Sequence, residues 1–596
     1  MIAAILIARN LLVGAPPHQG SLYIARGGPV IVGVQGDGTL DIAGHHIHAA
    51  TERIVMMHGP VAYTWDGGGR LVWSPVGRRG DPEYVPLSSL SPEPPATATF
   101  PAWVGAAPFD GACALAILLI VVATVLYTAR SSLRAVPRRT WIAMGAVFGI
   151  ACIARWIDLG GFGQTWDEDV NWAAGRNYVT NLLSLDFRAQ SWIWNFEHPP
   201  VMKVLEGIGA QFADGFGPAR AMSAVWTALG CAFLVPIGAR LYRLETGLLA
   251  GAIAALLPPL VAHGQIVGHE SPTLMWWTLA VLLALHASSR RRLVALGIVI
   301  GLAAASRFVS GLVAPLALAI VLLDKRPWRD ALAILPATSL ATFYAVWPRL
   351  WLHPVRALQE SLHKLAVTHT PEPFLGTVTS HPPPWYFLVY LLATLPIGVL
   401  LGLFAWPRRD KATLVTALWL VVPLGVAFSP VRQDGVRYVI PCLAALALAS
   451  AAGWDRIARR FDRYAAVSGA LVVYLVVTLV RIHPYYLDYF AEQVGGTHTV
   501  QAHGWFETAW WGEGVDRAVG YVNAHAAPGA KIDRDCILPA HLAWFREDLW
   551  TPMVHSPAQA DWIVRYGDAP CPIPPGARRV FTVEADGATL AEVWQR

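Results

Sequence analysis

Apolar stretches alternate regularly with clusters of arginine and lysine along this chain, and that alternation narrows the possible folds more than anything else in it. Apolar runs fall at about 111–127, 141–156, 219–239, 246–262, 271–287, 293–305, 308–323, 331–347, 385–405, 412–428, 438–452 and 465–480. A standard membrane span takes about 20 residues, and several of these are shorter. Basic residues collect in every second connection: Arg130, Arg134, Arg138 and Arg139; Arg240 and Arg243; Arg290, Arg291 and Arg292; Lys325, Arg326 and Arg329; Arg408, Arg409 and Lys411; Arg456, Arg459, Arg460 and Arg463. Positive residues are retained on the cytoplasmic side of a membrane. The alternation therefore predicts a polytopic α-helical protein of about twelve spans in the cytoplasmic (inner) membrane. Residues 157–218, 263–270, 306–307, 348–384, 429–437 and the tail from 481 are expected on the extracytoplasmic side.

Composition agrees with that class. The chain is 55% hydrophobic and only 14% charged, where soluble proteins carry about a quarter charged residues. Its 26 tryptophans suit long membrane–water boundaries. A net charge of +5 gives no reason to expect a nucleic-acid partner. Residues 1–110 read as a small β-rich polar module, expected outside by parity, although Arg9 interrupts what would otherwise resemble a leader. Residues 111–140 add one helix and a cytoplasmic linker before a core at 141–480. In the core, the outer loop 348–384 is expected to hold a short amphipathic helix at 354–367. Residues 481–596 read as a small α+β domain. Four cysteines lie in apolar runs; Cys536 and Cys571 lie in the polar tail and could pair if it is extracytoplasmic.

The chemistry gathers where outer ends of spans meet. "TWDEDVN" supplies Asp167, Glu168 and Asp169, and "NFEHPPVMK" supplies His198 and Lys203. "GHESPT" supplies His269 and Glu270, and "RQDGVRYVIP" supplies Arg432, Arg437 and Tyr438. Arg307 splits a long apolar stretch into two spans that meet on the outer side. Each of these alone reads as a solvated loop start or an interfacial anchor. Together they are carboxylates able to take a proton from a hydroxyl, and cations able to grip a phosphate.

The order of "DE", "HPPVMK", "GHESPT", "SRFVSGL", "WPRLWLHP", "PEPFLG" and "VRYVIP" resembles that of the protein O-mannosyltransferases and their bacterial relatives. "HPYYLDYFAEQVGG" followed by "WWGEGVDRAVGYVN" also fits bacterial members. Those relatives include the aminoarabinose transferases that modify lipid A, and all share the C-type glycosyltransferase fold. The resemblance covers residues 141–500. It implies a membrane glycosyltransferase that moves a sugar from a polyprenyl-phosphate carrier, with inversion, to a protein, lipid or glycan hydroxyl. Carried over, Asp167 is the catalytic carboxylate, supported by Glu168. Arg307, Lys203, Arg437 and Tyr438 would hold the donor phosphate, with His198, His269 and Glu270 in supporting positions. Two departures stand out: Gln265 lies where relatives often carry arginine, and Glu270 where they commonly carry aspartate.

"DEDVN" offers oxygen donors to a divalent cation, but no second ligand set accompanies it, so no metal is assigned. Two other classes compete. A transporter or flippase would place charge near mid-span and show repeated halves, whereas here the charges cluster on one face and no repeat is visible. A membrane scaffold would place its function in the two polar modules.

Overall fold

The computed structural model describes residues 1–13, 19–35, 39–48, 52–66, 70–75, 83–86, 107–213, 215–324, 328–365, 371–406, 408–429, 432–533, 536, 545–549, 553–554, 557–567 and 571–596. Lys325 and Arg326, and the last two residues of the helix expected at 354–367, lie outside these.

Five described helices are long and apolar enough to cross a membrane: Pro108–Thr128, Gly217–Leu241, Lys411–Phe428, Arg437–Arg460 and Tyr464–Ile482. Two bent pairs raise the number to seven. Leu244–Leu256 and Pro258–Gly264 meet at 63°, and Tyr386–Thr394 and Ile397–Phe404 at 112°. The remaining expected stretches are also helical, as Arg138–Trp156, Glu270–Ala284, Arg290–Ser306, Phe308–Leu323 and Trp328–Ala345, but these are shorter or more polar. The chain is a multi-pass membrane protein.

The first bent pair shows how the site is positioned. Pro258 and Pro259 cannot continue the helix, which leaves carbonyls without their usual partners. Arg155, wholly buried, donates to one of them, that of Ala255, at 3.0 Å, and also to the Leu260 carbonyl at 3.1 Å. Gln265 Nε2 then donates back to the carbonyls of Arg155 and Ile157. The departure residue Gln265 thus anchors the loop that leads to His269 and Glu270.

The N-terminal region begins with a helix, Ile2–Val13, followed by an antiparallel sheet. Its strands are Gln19–Gln35, Thr39–Ile42, His45–His48, Glu52–Asp66, Arg70–Pro75 and Glu83–Pro86. Arg9 ties the first helix down. Buried, it pairs with Asp110 at 2.9 Å and donates to Ser184. Leu40, Ile42, Ile47 and Tyr63 of the sheet pack against Ala174, Tyr178, Trp192 and Trp194 of the loop 157–218. The sheet therefore lies on the same face as Asp167. Within that loop, the helices Glu168–Leu183 and Val201–Ala210 touch at Gly175 and Gly207. A Cβ on either would come within 3 Å of the other's backbone.

The expected loop helix is present as Pro354–Leu365, followed by a hairpin of Glu372–Phe374 and Thr377–Thr379. In the C-terminal region, Trp562–Tyr566, Ala588–Gln595 and Arg578–Ala585 form an antiparallel sheet. Ile532–Asp533 and Met553–Val554 extend it in parallel, and helix Val515–His525 packs on it. Cys536 and Cys571 are joined as a disulfide.

Candidate active site

Asp167 and Glu270, from segments far apart in sequence, and the nearby Asp434 converge on one guanidinium group, that of Arg437. Arg437 Nη2 donates to Asp167 Oδ2 at 2.7 Å, Nε to Glu270 Oε1 at 2.7 Å, and Nη1 approaches Asp434 Oδ2 at 3.4 Å. Arg307 Nη1 reaches the same Glu270 oxygen at 2.7 Å. Among the described residues, Arg307 uses Nη1 alone, for Glu270 and the Arg437 carbonyl, so Nε and Nη2 remain for a ligand. Both guanidinium groups lie over aromatic rings, Arg307 over Tyr438 and Arg437 over Trp511, each 4.3 Å from the centroid. Such stacking holds a flat cation in one orientation.

Local breaks place these groups. Asp167 stands immediately before the helix Glu168–Leu183. Arg307 is an extended residue between the helix Arg290–Ser306 and the short 3₁₀ turn that follows. Asp434 and Gly435 are both left-handed, with φ near +58°. That turn presents the Asp434 carboxylate to Arg437 and lets the Gly435 amide donate to Tyr386 Oη at 2.9 Å.

The two neighbouring acids differ completely in surroundings. The Asp167 side chain is 47% exposed and that of Glu168 0%. Glu168 binds Arg220 through both oxygens, at 2.8 and 2.6 Å, and accepts from the amides of Thr165 and Val267. With its oxygens so occupied, Glu168 holds the Asp167 loop against the 265–270 loop, in place of the supporting catalytic role expected for it. Asp169 is buried and accepts from the Val170 amide.

Lys203 also departs from expectation. Its ammonium is fully buried and donates to the carbonyls of Trp194, Asn195 and His198, closing the loop ahead of its own helix. Burial pushes its pKa down to about 7. Arg432 likewise serves backbone, donating to the carbonyls of Pro382, Ala427 and Ser429. Neither cation faces the Asp167 cluster.

His198 and His269 do come together, with ring centroids 4.2 Å apart. His269 Nδ1 donates to the Ser306 carbonyl at 3.0 Å, which leaves Nε2 as an acceptor in the neutral ring. Among the described residues, His269 Nε2, His198 Nδ1 and Glu270 Oε2 are buried without partners. Burial first, then the neighbouring His269, Lys203, Arg307 and Arg437, hold His198 well below the usual imidazole range. No His, Asp or Glu cluster of metal-ligand geometry occurs at this site among the described residues. The one such group, Asp533 with Cys536 and Cys571, contains the disulfide.

Sequence reading missed Arg220, Asp434 and Trp511. Asp434 was visible in "RQDGVRYVIP", three residues before Arg437, the spacing at which an acid and a base can meet around one turn. Arg220 carried no such signal, because its partner lies 52 residues away.

Residues 197–351 match the family described as Dolichyl-phosphate-mannose-protein mannosyltransferase. No curated protein matches the chain. Among solved structures, the chain is similar to ArnT from Cupriavidus metallidurans in the apo state. There the identity is 15% and the TM-score 0.45, covering 76% of this chain and 97% of that one. The ArnT structure bound to undecaprenyl phosphate gives 15% identity and a TM-score of 0.44, covering 77% and 98%. The Archaeoglobus fulgidus oligosaccharyltransferase gives 13% identity and a TM-score of 0.37, covering 65% and 58%. The family match takes in His198, Lys203, Glu270 and Arg307, so the resemblance read from the motifs holds across residues 197–351, where the chain is similar to the protein mannosyltransferases.

Proposed function

We propose that this chain is an inverting membrane glycosyltransferase. It moves a single sugar from a polyprenyl-phosphate carrier to an acceptor hydroxyl on the extracytoplasmic face. The observation that carries this reading is the contact between a half-exposed Asp167 and Arg437, beside an Arg307 with donors to spare. An accessible carboxylate can take the acceptor's proton as the hydroxyl oxygen attacks the anomeric carbon. The bond to phosphate breaks on the opposite side, and guanidinium groups stabilise the charge left on the phosphate oxygens. Arg307 is the principal phosphate contact, because its planar fork suits two oxygens. Arg437 mainly orders Asp167, Glu270 and Asp434.

The side assignment draws support from the basic clusters and from the Cys536–Cys571 bond in a domain expected outside. The family match supports the donor class.

The test uses purified protein in nanodiscs with polyprenyl-phosphate sugars. Arg307→Lys should keep the charge but lose the fork, weakening donor binding about tenfold, and Arg307→Ala should weaken it further. Wild-type donor affinity in both variants would make Arg307 an interfacial anchor and remove the reading.

A further inference from the structure

The loop 509–514 ties the C-terminal region to the Arg437–Asp167 contact at three points. The Arg437 guanidinium stacks on its Trp511 ring. The Trp511 carbonyl accepts from the Trp166 amide at 3.1 Å, and the Gly514 amide donates to the Phe162 carbonyl at 3.0 Å. Trp166 directly precedes Asp167, so this one loop supports both partners of the contact. Its backbone does not hold this shape unaided. Ala509, Gly512 and Gly514 all have positive φ, at 52°, 118° and 76°, and a side chain at Ala509 makes that conformation unfavourable.

Two acids hold the loop in place. Asp488 Oδ1 accepts from the Ala509 amide at 2.6 Å. Glu513 Oε2 accepts from the Trp511 amide at 3.0 Å and from the Tyr566 hydroxyl at 2.8 Å, and that hydroxyl accepts in turn from the Gly512 amide. Asp488 and Glu513 are 1% and 0% exposed. Each has an oxygen to spare: among the described residues, Asp488 Oδ2 and Glu513 Oε1 are buried without partners.

The groups around the pair bring it no neutralising cation. Tyr566 and Tyr485 face it as phenols. Arg517 lies over the Tyr485 ring and donates to the Gly161 carbonyl, and Asp516 adds negative charge on that side. Asp158, ahead of Phe162, pairs with His483. Two carboxylates buried together without a cation do not both ionise. One proton held between the spare oxygens satisfies both and leaves the other two oxygens for the loop amides. Burial first, then the charge of Glu513, hold Asp488 well above the ordinary carboxyl range, and burial raises Glu513 as well.

We propose that Asp488 and Glu513 are positioning residues for sugar transfer: holding one proton between them, they fix the loop that sets Trp511 against Arg437 and steadies the backbone ahead of Asp167. This rests on the roles proposed above for Asp167 and Arg437. Both acids act through the loop and not on the substrate.

The test has two arms, both on the full chain in nanodiscs. The first needs no substrate. At neutral pH, an infrared difference spectrum between wild type and the Asp488→Asn/Glu513→Gln double variant should show the loss of one protonated carboxyl group and one carboxylate. Loss of two carboxylates and no protonated group would overturn the proposal.

The second arm follows kcat and donor KM for transfer from a polyprenyl-phosphate sugar. Glu513→Gln keeps an acceptor for the Trp511 amide and gives Asp488 a permanent N–H donor, so kcat should stay within about threefold of wild type. Glu513→Ala removes both and should lower kcat about tenfold to a hundredfold, since a misplacement of about 1 Å costs on that order. Donor KM should change much less, because Arg307 is held outside the loop. Wild-type kcat in Glu513→Ala, or an equal loss in Glu513→Gln, would overturn the proposal. Should Glu513→Ala fail to fold, Tyr566→Phe removes only the hydroxyl between Glu513 and Gly512 and should lower kcat about threefold to tenfold. Unchanged kcat in that variant would overturn the proposal equally. A wild type that transfers no sugar would remove the donor reading and the positioning role with it, while the infrared arm still decides whether the pair shares a proton.

Discussion

Asp167 and Arg437 are 270 residues apart in sequence and 2.7 Å apart in the folded chain. Local breaks in the helices around them build the cluster they share. The proline break at 258 aims one loop, the extended Arg307 separates two helices, and the Asp434–Gly435 turn leads into the helix that follows Arg437. The contact also orients the carboxylate: Oδ2 is held on Arg437, while the side chain stays half exposed.

The membrane orientation has a direct test. In a Cys113→Ser background, Ser289→Cys should resist an impermeant thiol reagent in intact cells, while Val378→Cys, 71% exposed in the outer hairpin, should react. Labelling of position 289 from outside would reverse the sides and detach the site from the extracytoplasmic face.

Glu168 and Arg220 form a buried ion pair whose partners cannot be removed singly without cost. Arg220→Ala leaves an uncompensated carboxylate and should destabilise the fold by about 3–5 kcal/mol. Glu168→Gln keeps one acceptor oxygen for a backbone amide and should be milder. Thermal unfolding in nanodiscs reads both. An Arg220→Ala protein as stable as wild type would mean that the pair does not hold the two loops together.

Glu372, in the hairpin that follows the Pro354–Leu365 helix, contributes a pH dependence of definite sign. Burial, against a hydrogen bond from Tyr386, raises its pKa from the ordinary 4.5 to about 7. Between those values the folded chain holds a proton that the unfolded chain has released. Stability from this group is therefore greatest below pH 4.5, falls as pH rises toward 7, and is flat above. Glu372→Gln should remove that slope from the unfolding midpoint measured between about pH 5 and 7. An unchanged slope in the variant would assign it to other groups.

Much of the site was legible because membrane topology makes sequence position informative. Once the basic clusters set the sides, Asp167, Glu270, Arg307 and Arg437 had to lie near one boundary, and the structure brings all four into one network. Side-chain direction was not legible. Lys203 has the right charge at the right depth, yet its helix turns the ammonium into the loop carbonyls. Glu168 sits one residue from Asp167, and a helix rotates successive side chains by about 100°, which carries it to Arg220 instead. The polar module was read as strands, but nothing in its pattern pointed to docking on Trp192 and Trp194, because that interface joins two surfaces with no sequence proximity.

The proposed mechanism stands on Asp167 as the group that takes the acceptor's proton. Asp167→Asn nearly preserves shape and removes basicity, and Asp169→Asn is the control, since that acid is buried and accepts from the Val170 amide. The measurement is transfer from a defined polyprenyl-phosphate sugar by each purified, folded variant, alongside its donor affinity. Loss of a general base costs on the order of 10²–10⁴ in rate. A loss of that size is expected for Asp167→Asn, with donor affinity retained through Arg307, and a much smaller loss for Asp169→Asn. Near-normal transfer by the Asp167→Asn enzyme would contradict the mechanism.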